Sequence, residues 1–186
     1  MISNGTEATS KPKSEVSREP PSGNPQEVLP GNSREVLPGF SREASIEVRL
    51  ADLNVPISSI KPSPAVPPLT LQESEDGISI VLHFGKDQPR DHVSAIVVTV
   101  INKLPDAISD YELKAVVPKG CKVKIQDPTT TSLPAHNPFV PASAITQVML
   151  IANPTKKSPV SLKYIVSYSV DGEPQTEMGQ VEKLPI

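Results

Sequence analysis

The sequence predicts an all-β fold, a two-layer β-sandwich of about eight strands behind a disordered tail. Three observations support this prediction. From Pro68 onward, short runs rich in valine, isoleucine and threonine are divided by proline, glycine, aspartate and asparagine, which is typical of strands and turns. No window carries a sustained apolar stripe with the 3.6-residue period of a helix. The 186 residues include 22 prolines and only 3% aromatic residues, so part of the chain is expected to be disordered.

The predicted strands follow one another at the short spacing of a sandwich. The run from Val93 to Ile101 is apolar on both faces, as expected of a central strand, whereas KVKI from Lys122 to Ile125 alternates charged and apolar side chains and should expose one face. Turns are predicted at Asp76-Gly77, Lys119-Gly120 and Asp171-Gly172, where hairpins need positive φ. In chain order, the predicted strands are residues 69–73, 78–85, 92–102, 108–117, 121–126, 144–153, 160–170 and 173–181.

Residues 1–64 are predicted to be a disordered hinge or linker, and residues 65–186 to be the sandwich. Prolines interrupt the first segment among serine, glutamate and arginine, so that no helix or strand period survives. An eight-residue repeat occupies residues 27–50 as EVLPGNSR, EVLPGFSR and the decayed EASIEVRL. We interpret it either as a duplication in a linker that tolerates insertions or as a Val-Leu-Pro-Gly peptide displayed to a partner domain.

Charge, hydropathy and cysteine content restrict the cellular compartment and the classes of partner that are expected for this protein. A formal net charge of -3 gives no global attraction to nucleic acid or to acidic lipid. The longest nearly apolar run, residues 95–101, is far below the roughly 18 residues that a spanning helix needs, and residues 1–15 do not resemble a signal peptide. A single cysteine excludes an internal disulfide framework. We therefore expect a cytoplasmic protein that does not insert into a membrane by itself.

Residues with catalytic or metal-binding chemistry are too sparse to form a recognisable site. His83, His92 and His136 are widely separated and lack a cysteine or paired carboxylate at ligand spacing. Cys121 has lysines close by, which would lower its pKa if the thiol were exposed, but a lone cysteine is usually a small core residue. No GxSxG elbow, phosphate loop or dinucleotide fingerprint occurs. We therefore expect no enzyme activity, no cofactor and no metal.

Four lysines form a local basic patch in a chain whose net charge is negative. Lys114, Lys119, Lys122 and Lys124 fall within eleven residues that contain no acid. One interpretation is a solvated face; the other is a basic edge beside apolar side chains, suited to an acidic peptide with a hydrophobic anchor. Because no aromatic residues are interleaved for base stacking, nucleic acid is not an expected partner.

Three segments resemble one protein family: VPISSIKPS at 55–63, AVVPKGCKVKIQDP at 115–128 and LPAHNPFVPASAITQVMLIANP at 133–154. In order and spacing they are similar to the gamma-adaptin ear (GAE) domain of the GGA proteins, the Golgi-localised, gamma-ear-containing, ARF-binding clathrin adaptors. The resemblance runs from about Leu50 to the end. The ear of gamma-adaptin shares the VPK and ITQV elements and stays an alternative, although SIKPS and NPFVPASAITQV are more similar to the GGA version.

The resemblance implies an immunoglobulin-like β-sandwich that binds short peptides carrying an aromatic residue, a glycine, an acid or proline, and a hydrophobe. The implied partners are accessory proteins of vesicle traffic between the trans-Golgi network and endosomes, with the protein peripheral at those membranes. The family's peptide site maps by motif onto the position before VPK, the strand after it and the next proline. The implied peptide-binding residues are Val116, Lys119, Ile125, Pro128 and Lys163, with Lys122 and Lys124 as a secondary basic rim.

Two departures from the family pattern are expected to affect the affinity for peptides. Family members typically have alanine where this chain has Val116, whose extra methyl groups would make one pocket shallower. The strand after the ANP turn usually carries basic residues where this chain has Ser161 and Ile165, leaving Lys163. Fewer arginines mean less charge and less stacking on a ligand aromatic. The affinity or motif preference is therefore expected to differ from that of the family.

The expected partners exclude two that the family binds through other domains. No long amphipathic helices occur, so we expect neither ARF nor cargo-signal binding by this chain alone. A domain of this kind is expected to be a monomer. An alternative from a different class is a stand-alone sandwich that docks its own tail through Val-Leu-Pro-Gly and has lost accessory-peptide binding.

Overall fold

Eight strands make up the computed structural model, which describes residues 49–155 and 159–186. Most of the repeat at residues 27–50, and with it the Val-Leu-Pro-Gly peptide, lies outside these ranges. The helix found within them is a single 3-10 turn at Ile57–Ser59, and no helix there is long and apolar enough to cross a bilayer. The strands are β1 Leu69–Gln72, β2 Ile78–Phe84, β3 Val93–Asn102, β4 Ile108–Val116, β5 Lys122–Ile125, β6 Ala144–Ala152, β7 Leu162–Val170 and β8 Glu173–Val181.

The all-β prediction is confirmed, and each predicted strand ends within two residues of the observed one. A five-stranded sheet has the order β1-β2-β3-β6-β5, and a three-stranded sheet has the order β4-β7-β8, with antiparallel pairing throughout. β3 is central, as its apolar sequence predicts. β4 and β5 follow one another in the chain but are edge strands of different sheets. The connection at residues 117–121 therefore crosses from one sheet to the other.

Aliphatic side chains fill most of the space between the sheets. The five-stranded sheet contributes fully buried isoleucine, leucine and valine, while the three-stranded sheet adds Tyr111, Tyr164 and Tyr168. The Tyr164 hydroxyl donates a hydrogen bond of 3.0 Å to the carbonyl of Leu71 and so links the two sheets at the β1 edge. A Cβ at Gly179, which pairs with Tyr164, would overlap that hydroxyl, so the ring needs a glycine opposite it.

Two of the three predicted turn pairs have the expected positive φ, and the prediction of positive φ is wrong for the third. Asp171 and Gly172 both have positive φ, 50° and 82°, as a tight hairpin requires. Gly120 has φ 91°, and the Cys121 N–H closes its turn on the Pro118 carbonyl at 3.0 Å, but this turn joins strands of different sheets and is not the predicted hairpin. Gly77 does not have positive φ. A Cβ there would lie 2.7 Å from Ser74 Oγ, so this glycine is required by a close approach rather than by the turn type.

Residues 49–60, here called the leading segment, pack across the outer face of the five-stranded sheet. Leu50 and Val55 are buried there. The side-chain amide of Gln126, just after β5, holds the segment from both sides: its Oε1 accepts from the Val55 N–H at 2.7 Å, and its Nε2 donates to the Val55 carbonyl at 2.8 Å. The apolar cluster beneath consists of Val93, Ala95, Val148, Leu150 and Ala152.

The predicted boundary at residue 64 therefore differs from the structure, in which the packed part of the chain already includes Leu50. The physical reason lies in β3 and β6, which carry apolar side chains on both faces. The three-stranded sheet covers one face, and the leading segment covers part of the other. Proline and serine in this segment are compatible with an irregular backbone that packs through a few apolar side chains.

Truncating Leu50 should destabilise the sandwich. We expect Leu50→Ala to lower the free energy of unfolding by about 2 kcal/mol, because it removes a buried side chain from a cluster that cannot close over the gap. Ile57→Ala is the matched control, since Ile57 is an exposed apolar side chain of the same segment. Urea unfolding of the full chain gives both values. A loss of stability in Leu50→Ala no larger than that in Ile57→Ala would mean that burial of Leu50 against the outer face does not stabilise the sandwich.

Candidate functional site

An open groove of about 960 Å³ lies where the edge strands β4 and β5 meet. Three stretches of chain line it: residues 49–52 of the leading segment, residues 115–117 at the end of β4, and residues 121–124 of β5. The groove exists because consecutive strands end up on the edges of different sheets. It coincides with part of the predicted peptide site, since Val116, Lys122 and Lys124 are among its lining residues.

Val116 is the exposed apolar side chain at this junction. Alternation along β4 turns Ala115 toward the core and Val116 outward, where Val116 is 65% exposed. The sheet register places Val116 directly opposite Lys163 of β7, which is also exposed. Two of the predicted residues are thus neighbours on the outer face of the three-stranded sheet. An exposed apolar side chain therefore lies opposite a lysine at this junction.

Ile125 lies on the other side of β5 from the lysines. It is half-buried, and with Val123 it packs against the main core at the open edge of the sandwich. Pro128, just beyond β5, is half-buried as well, and Lys119 is exposed in the turn between β4 and β5. Ile125, Pro128, Lys119 and Lys163 are not part of the groove lining. The predicted residues therefore surround the β4–β5 junction rather than lining a single pocket.

Lys124 makes contacts that the sequence did not indicate. Its Nζ donates to the carbonyl of Ala51 at 2.8 Å and to the carbonyl of Leu53 at 2.9 Å. Lys122, on the same face of β5, is exposed. Because the ammonium group of Lys124 already satisfies two main-chain carbonyls, it holds the leading segment against β5 and is a less accessible rim charge than predicted.

The leading segment has a second polar attachment at its start. Arg90 donates from Nη1 to the carbonyl of Arg49, and it forms an ion pair with Asp52 at 3.5 Å. The hydrogen bonds that the Arg90 guanidinium group donates to the Asp52 carboxylate, together with a backbone hydrogen bond and the positive charge of Arg90, hold the pKa of the Asp52 carboxyl below its usual value. One wall of the groove is therefore fixed by Lys124, Arg90 and Gln126, none of which belongs to the leading segment.

Cys121 behaves as a packing residue. It is half-buried against the main core, and desolvation by burial raises the pKa of its thiol above the usual value. A raised pKa leaves less of the reactive thiolate at neutral pH. In the ranges 49–155 and 159–186, no three His, Cys, Asp or Glu side chains are grouped closely enough to hold a metal ion.

Sequence reasoning missed two parts of this surface. The leading segment was assigned to the tail, although the apolar outer face of β3 was a signal that something had to cover it. The second omission is an apolar row across the three-stranded sheet. Ile165 pairs with both Lys114 and Met178, and Ile165 and Met178 are 42% and 74% exposed. Ile165 lies two residues along β7 from Lys163, the partner of Val116, and therefore on the same face, so apolar surface continues away from the groove.

Comparisons with known proteins agree on one family. A sequence model of the family described as the adaptin C-terminal domain matches residues 67–185. The chain is 40% identical over 141 residues to ADP-ribosylation factor-binding protein GGA3 of Homo sapiens, covering 75% of this chain and 19% of that protein. It is also 40% identical over 141 residues to ADP-ribosylation factor-binding protein GGA1 of Homo sapiens, covering 75% of this chain and 22% of that protein. The chain thus spans about a fifth of the length of these relatives.

A solved structure shows the same fold. The GAE domain of GGA2p from Saccharomyces cerevisiae aligns with a TM-score of 0.52 and 20% sequence identity, covering 65% of this chain and 99% of that one. At this identity the likeness concerns the fold.

Lys124→Met should loosen the leading segment. We expect the amide of Leu53, which bonds to the Leu50 carbonyl, to exchange about tenfold faster, because two hydrogen bonds to a charged group together contribute about 1.4 kcal/mol or more. Lys119→Met is the matched control, since Lys119 is exposed in the neighbouring turn. Hydrogen exchange measured by NMR compares the two variants. Unchanged exchange at Leu53 in Lys124→Met would mean that Lys124 does not hold the segment.

The contribution of Asp52 to the stability of the folded protein should decrease as the pH falls. A carboxyl whose pKa is lowered in the folded protein favours folding when ionised, so its contribution is present above the unfolded pKa and is lost as the pH falls through the lowered folded pKa. A carbon-detected NMR titration of Asp52 should give a pKa below the ordinary value of about 3.9. In Arg90→Ala we expect the pKa to return toward that value. An equal pKa in both proteins would contradict the assigned cause.

Proposed function

The chain belongs to the adaptin C-terminal domain family, and we propose that it is the ear of a GGA-type clathrin adaptor, which binds short acidic-aromatic peptides. The observation that supports this proposal is the β4–β5 junction, where exposed Val116 lies beside an open groove with lysines around it. The proposed partners are accessory proteins of vesicle traffic between the trans-Golgi network and endosomes. The chain is proposed to act as a binding module, without enzyme activity or a cofactor.

The side chains suit a peptide that combines an apolar anchor with acidic flanks. Val116 offers an exposed apolar contact, and half-buried Ile125 is proposed to offer a second one at the edge of the core. Lys119 and Lys163 are exposed around it. Apolar anchors supply most of the affinity of such interfaces, while surrounding charges raise the association rate and select against basic peptides. An acidic peptide with one aromatic side chain fits both requirements.

The backbone adds a second source of affinity. β4 and β5 are edge strands, and edge strands present main-chain N–H and C=O groups with which an extended peptide can pair. Such pairing does not depend on the peptide's side chains. The selectivity is therefore expected to come from Val116 and the lysines, and the orientation of the peptide from the strand edge.

The residues that depart from the family pattern lie on this same surface. Val116 is larger than the usual alanine and stands outward, so it fills space that a ligand ring would otherwise enter. Ile165 replaces a basic residue and continues into exposed Met178. We therefore propose a preference for peptides with fewer acids and with an additional hydrophobe placed over the Ile165–Met178 row. Such a preference would not require a change of fold.

The proposed cellular role follows from these surfaces. Peptide capture at the β4–β5 junction would bring accessory proteins to an adaptor that is peripheral at trans-Golgi and endosomal membranes. The described residues hold no helical domain of the kind that the resemblance assigns to ARF or cargo-signal binding. We propose that the chain alone binds neither, and that it acts as a monomer.

A peptide titration tests the proposal. A short acidic peptide containing phenylalanine, glycine and a following hydrophobe, added to the full chain labelled for NMR, should shift the amides of Val116, Lys119, Ile125 and Lys163. We expect Val116→Glu and Lys163→Glu each to weaken binding by about fivefold or more. The first places a charge at an apolar contact and the second replaces an attractive charge by a repulsive one, and each change should cost about 1 kcal/mol of binding free energy. Val116→Ala should strengthen binding by opening space for the ring.

The matched control is Lys86→Glu, which makes the same charge change as Lys163→Glu in the connection between β2 and β3. It should leave the peptide affinity unchanged. Ile125→Glu is less informative, because Ile125 packs partly against the core and its loss of binding could reflect unfolding. Equal affinities of the wild-type chain and Val116→Glu would remove the β4–β5 junction as the peptide site.

A further inference from the structure

The connection between β5 and β6 displays the most exposed of the large apolar side chains in the described residues. Phe139 is 92% exposed at the tip of this connection, and its neighbour Val140 is 55% exposed. Exposed single apolar residues are common, but a phenyl ring leaves more apolar area in water than most of them. Aromatic side chains in such positions are typical anchors of protein interfaces.

The backbone fixes how the ring is presented. The Asn137 carbonyl accepts a hydrogen bond from the Val140 N–H at 3.4 Å, and Asn137 Oδ1 accepts one from the Phe139 N–H at 3.0 Å. Pro138 restricts φ between them, and Pro141 follows. Residues 137–140 therefore form a tight Asn-Pro-Phe-Val turn. A turn that is already ordered loses less entropy when it binds.

The base of the connection is anchored to the body of the sandwich. The Asn102 side-chain amide donates to the carbonyls of Asp106 and Pro134 at 2.8 and 2.9 Å. The main chain of Leu133 exchanges two hydrogen bonds with Ile108, and the His136 N–H donates to the Leu104 carbonyl. The turn thus projects from a fixed base.

The turn is suited to enter a pocket rather than to form one. The space between the connection and Asn102 amounts to about 30 Å³, which is too small for a side chain of a ligand. No Lys, Arg, Asp or Glu occurs from Pro128 to Thr155. Without basic residues the turn has no attraction to acidic lipid, and without any charge it matches an uncharged surface. These features favour a protein pocket over a membrane.

The turn lies far from the candidate peptide site. Its base pairs with Ile108 at the start of β4, whereas the groove begins at the end of that strand, at Ala115 and Val116. At about 3.3 Å per residue the two ends of β4 are roughly 26 Å apart. Two partners could therefore occupy the domain at once.

From this geometry we propose that residues 137–140 are a recognition element in their own right. The Phe139 ring enters an uncharged apolar pocket of a partner domain, of the class that binds Asn-Pro-Phe peptides in a turn conformation. The Asn137 side chain keeps the turn closed. The partner contacts the end of the sandwich opposite the groove and does not compete with a peptide bound there.

The test uses the full chain and a purified domain whose pocket binds free linear Asn-Pro-Phe peptides. We expect this domain to bind the folded chain about tenfold more tightly than a linear peptide of residues 133–143, because the turn is preorganised. Shifts in an NMR titration should be confined to Asn137, Phe139, Val140 and their neighbours. Phe139→Ala and Asn137→Ala should each weaken binding by about tenfold or more, since they remove the anchor and its support.

Met178→Ala is the matched control, because it removes another largely exposed apolar side chain, from a different face, and should leave the affinity unchanged. Val116→Glu should also bind the domain normally, which separates this site from the peptide groove. Binding no tighter than the linear peptide, or equal affinities of the wild-type chain and Phe139→Ala, would overturn the proposal. Vesicles of neutral phosphatidylcholine that bind the wild-type chain but not Phe139→Ala would overturn it in favour of a membrane contact.

Discussion

The two-sided apolar character of β3 and β6 is the constraint on which the rest of the structure depends. A strand pair that carries valine, isoleucine and leucine on both faces has to be covered on both faces. The three-stranded sheet covers the inner face and makes the sandwich. The outer face is covered where Leu50 and Val55 of the leading segment lie against it. The same requirement therefore sets both the layer architecture and the path of the chain that enters it.

That path connects packing to the candidate site. The leading segment reaches the outer face by passing the edge of β5, and residues 49–52 become one wall of the groove. Lys124 and Gln126 lie on or just after β5 and hold the segment through main-chain atoms. A shift of the segment would change the width of the groove without moving either sheet. The residues that precede the sandwich are thus placed to influence what binds at its edge.

Sequence reasoning predicted the sheets well and the surface less well, for physical reasons that differ between residues. Strands are determined by local alternation, so β3 and the Asp171-Gly172 hairpin could be recognised from a few neighbouring residues. The leading segment packs through contacts about 70 residues away in the chain, such as Val55 with Gln126, and no local pattern reports them. The pairing of Val116 with Lys163 depends on sheet register, which the resemblance supplied. The Ile165–Met178 row depends on the same register and was missed.

The two exposed apolar features are tied to opposite ends of one strand, β4, and this has a consequence for assembly. β4 carries Val116 at its end, and its first residue, Ile108, anchors the connection that displays Phe139. β4 lies between them and would keep the two proposed binding surfaces at a fixed separation, because its hydrogen bonds to β7 prevent it from bending freely. Two weak contacts at a fixed distance gain avidity only when the partner surfaces match that distance. On the two proposals made above, the domain would favour an assembly in which both partners are held together over one that offers either partner alone.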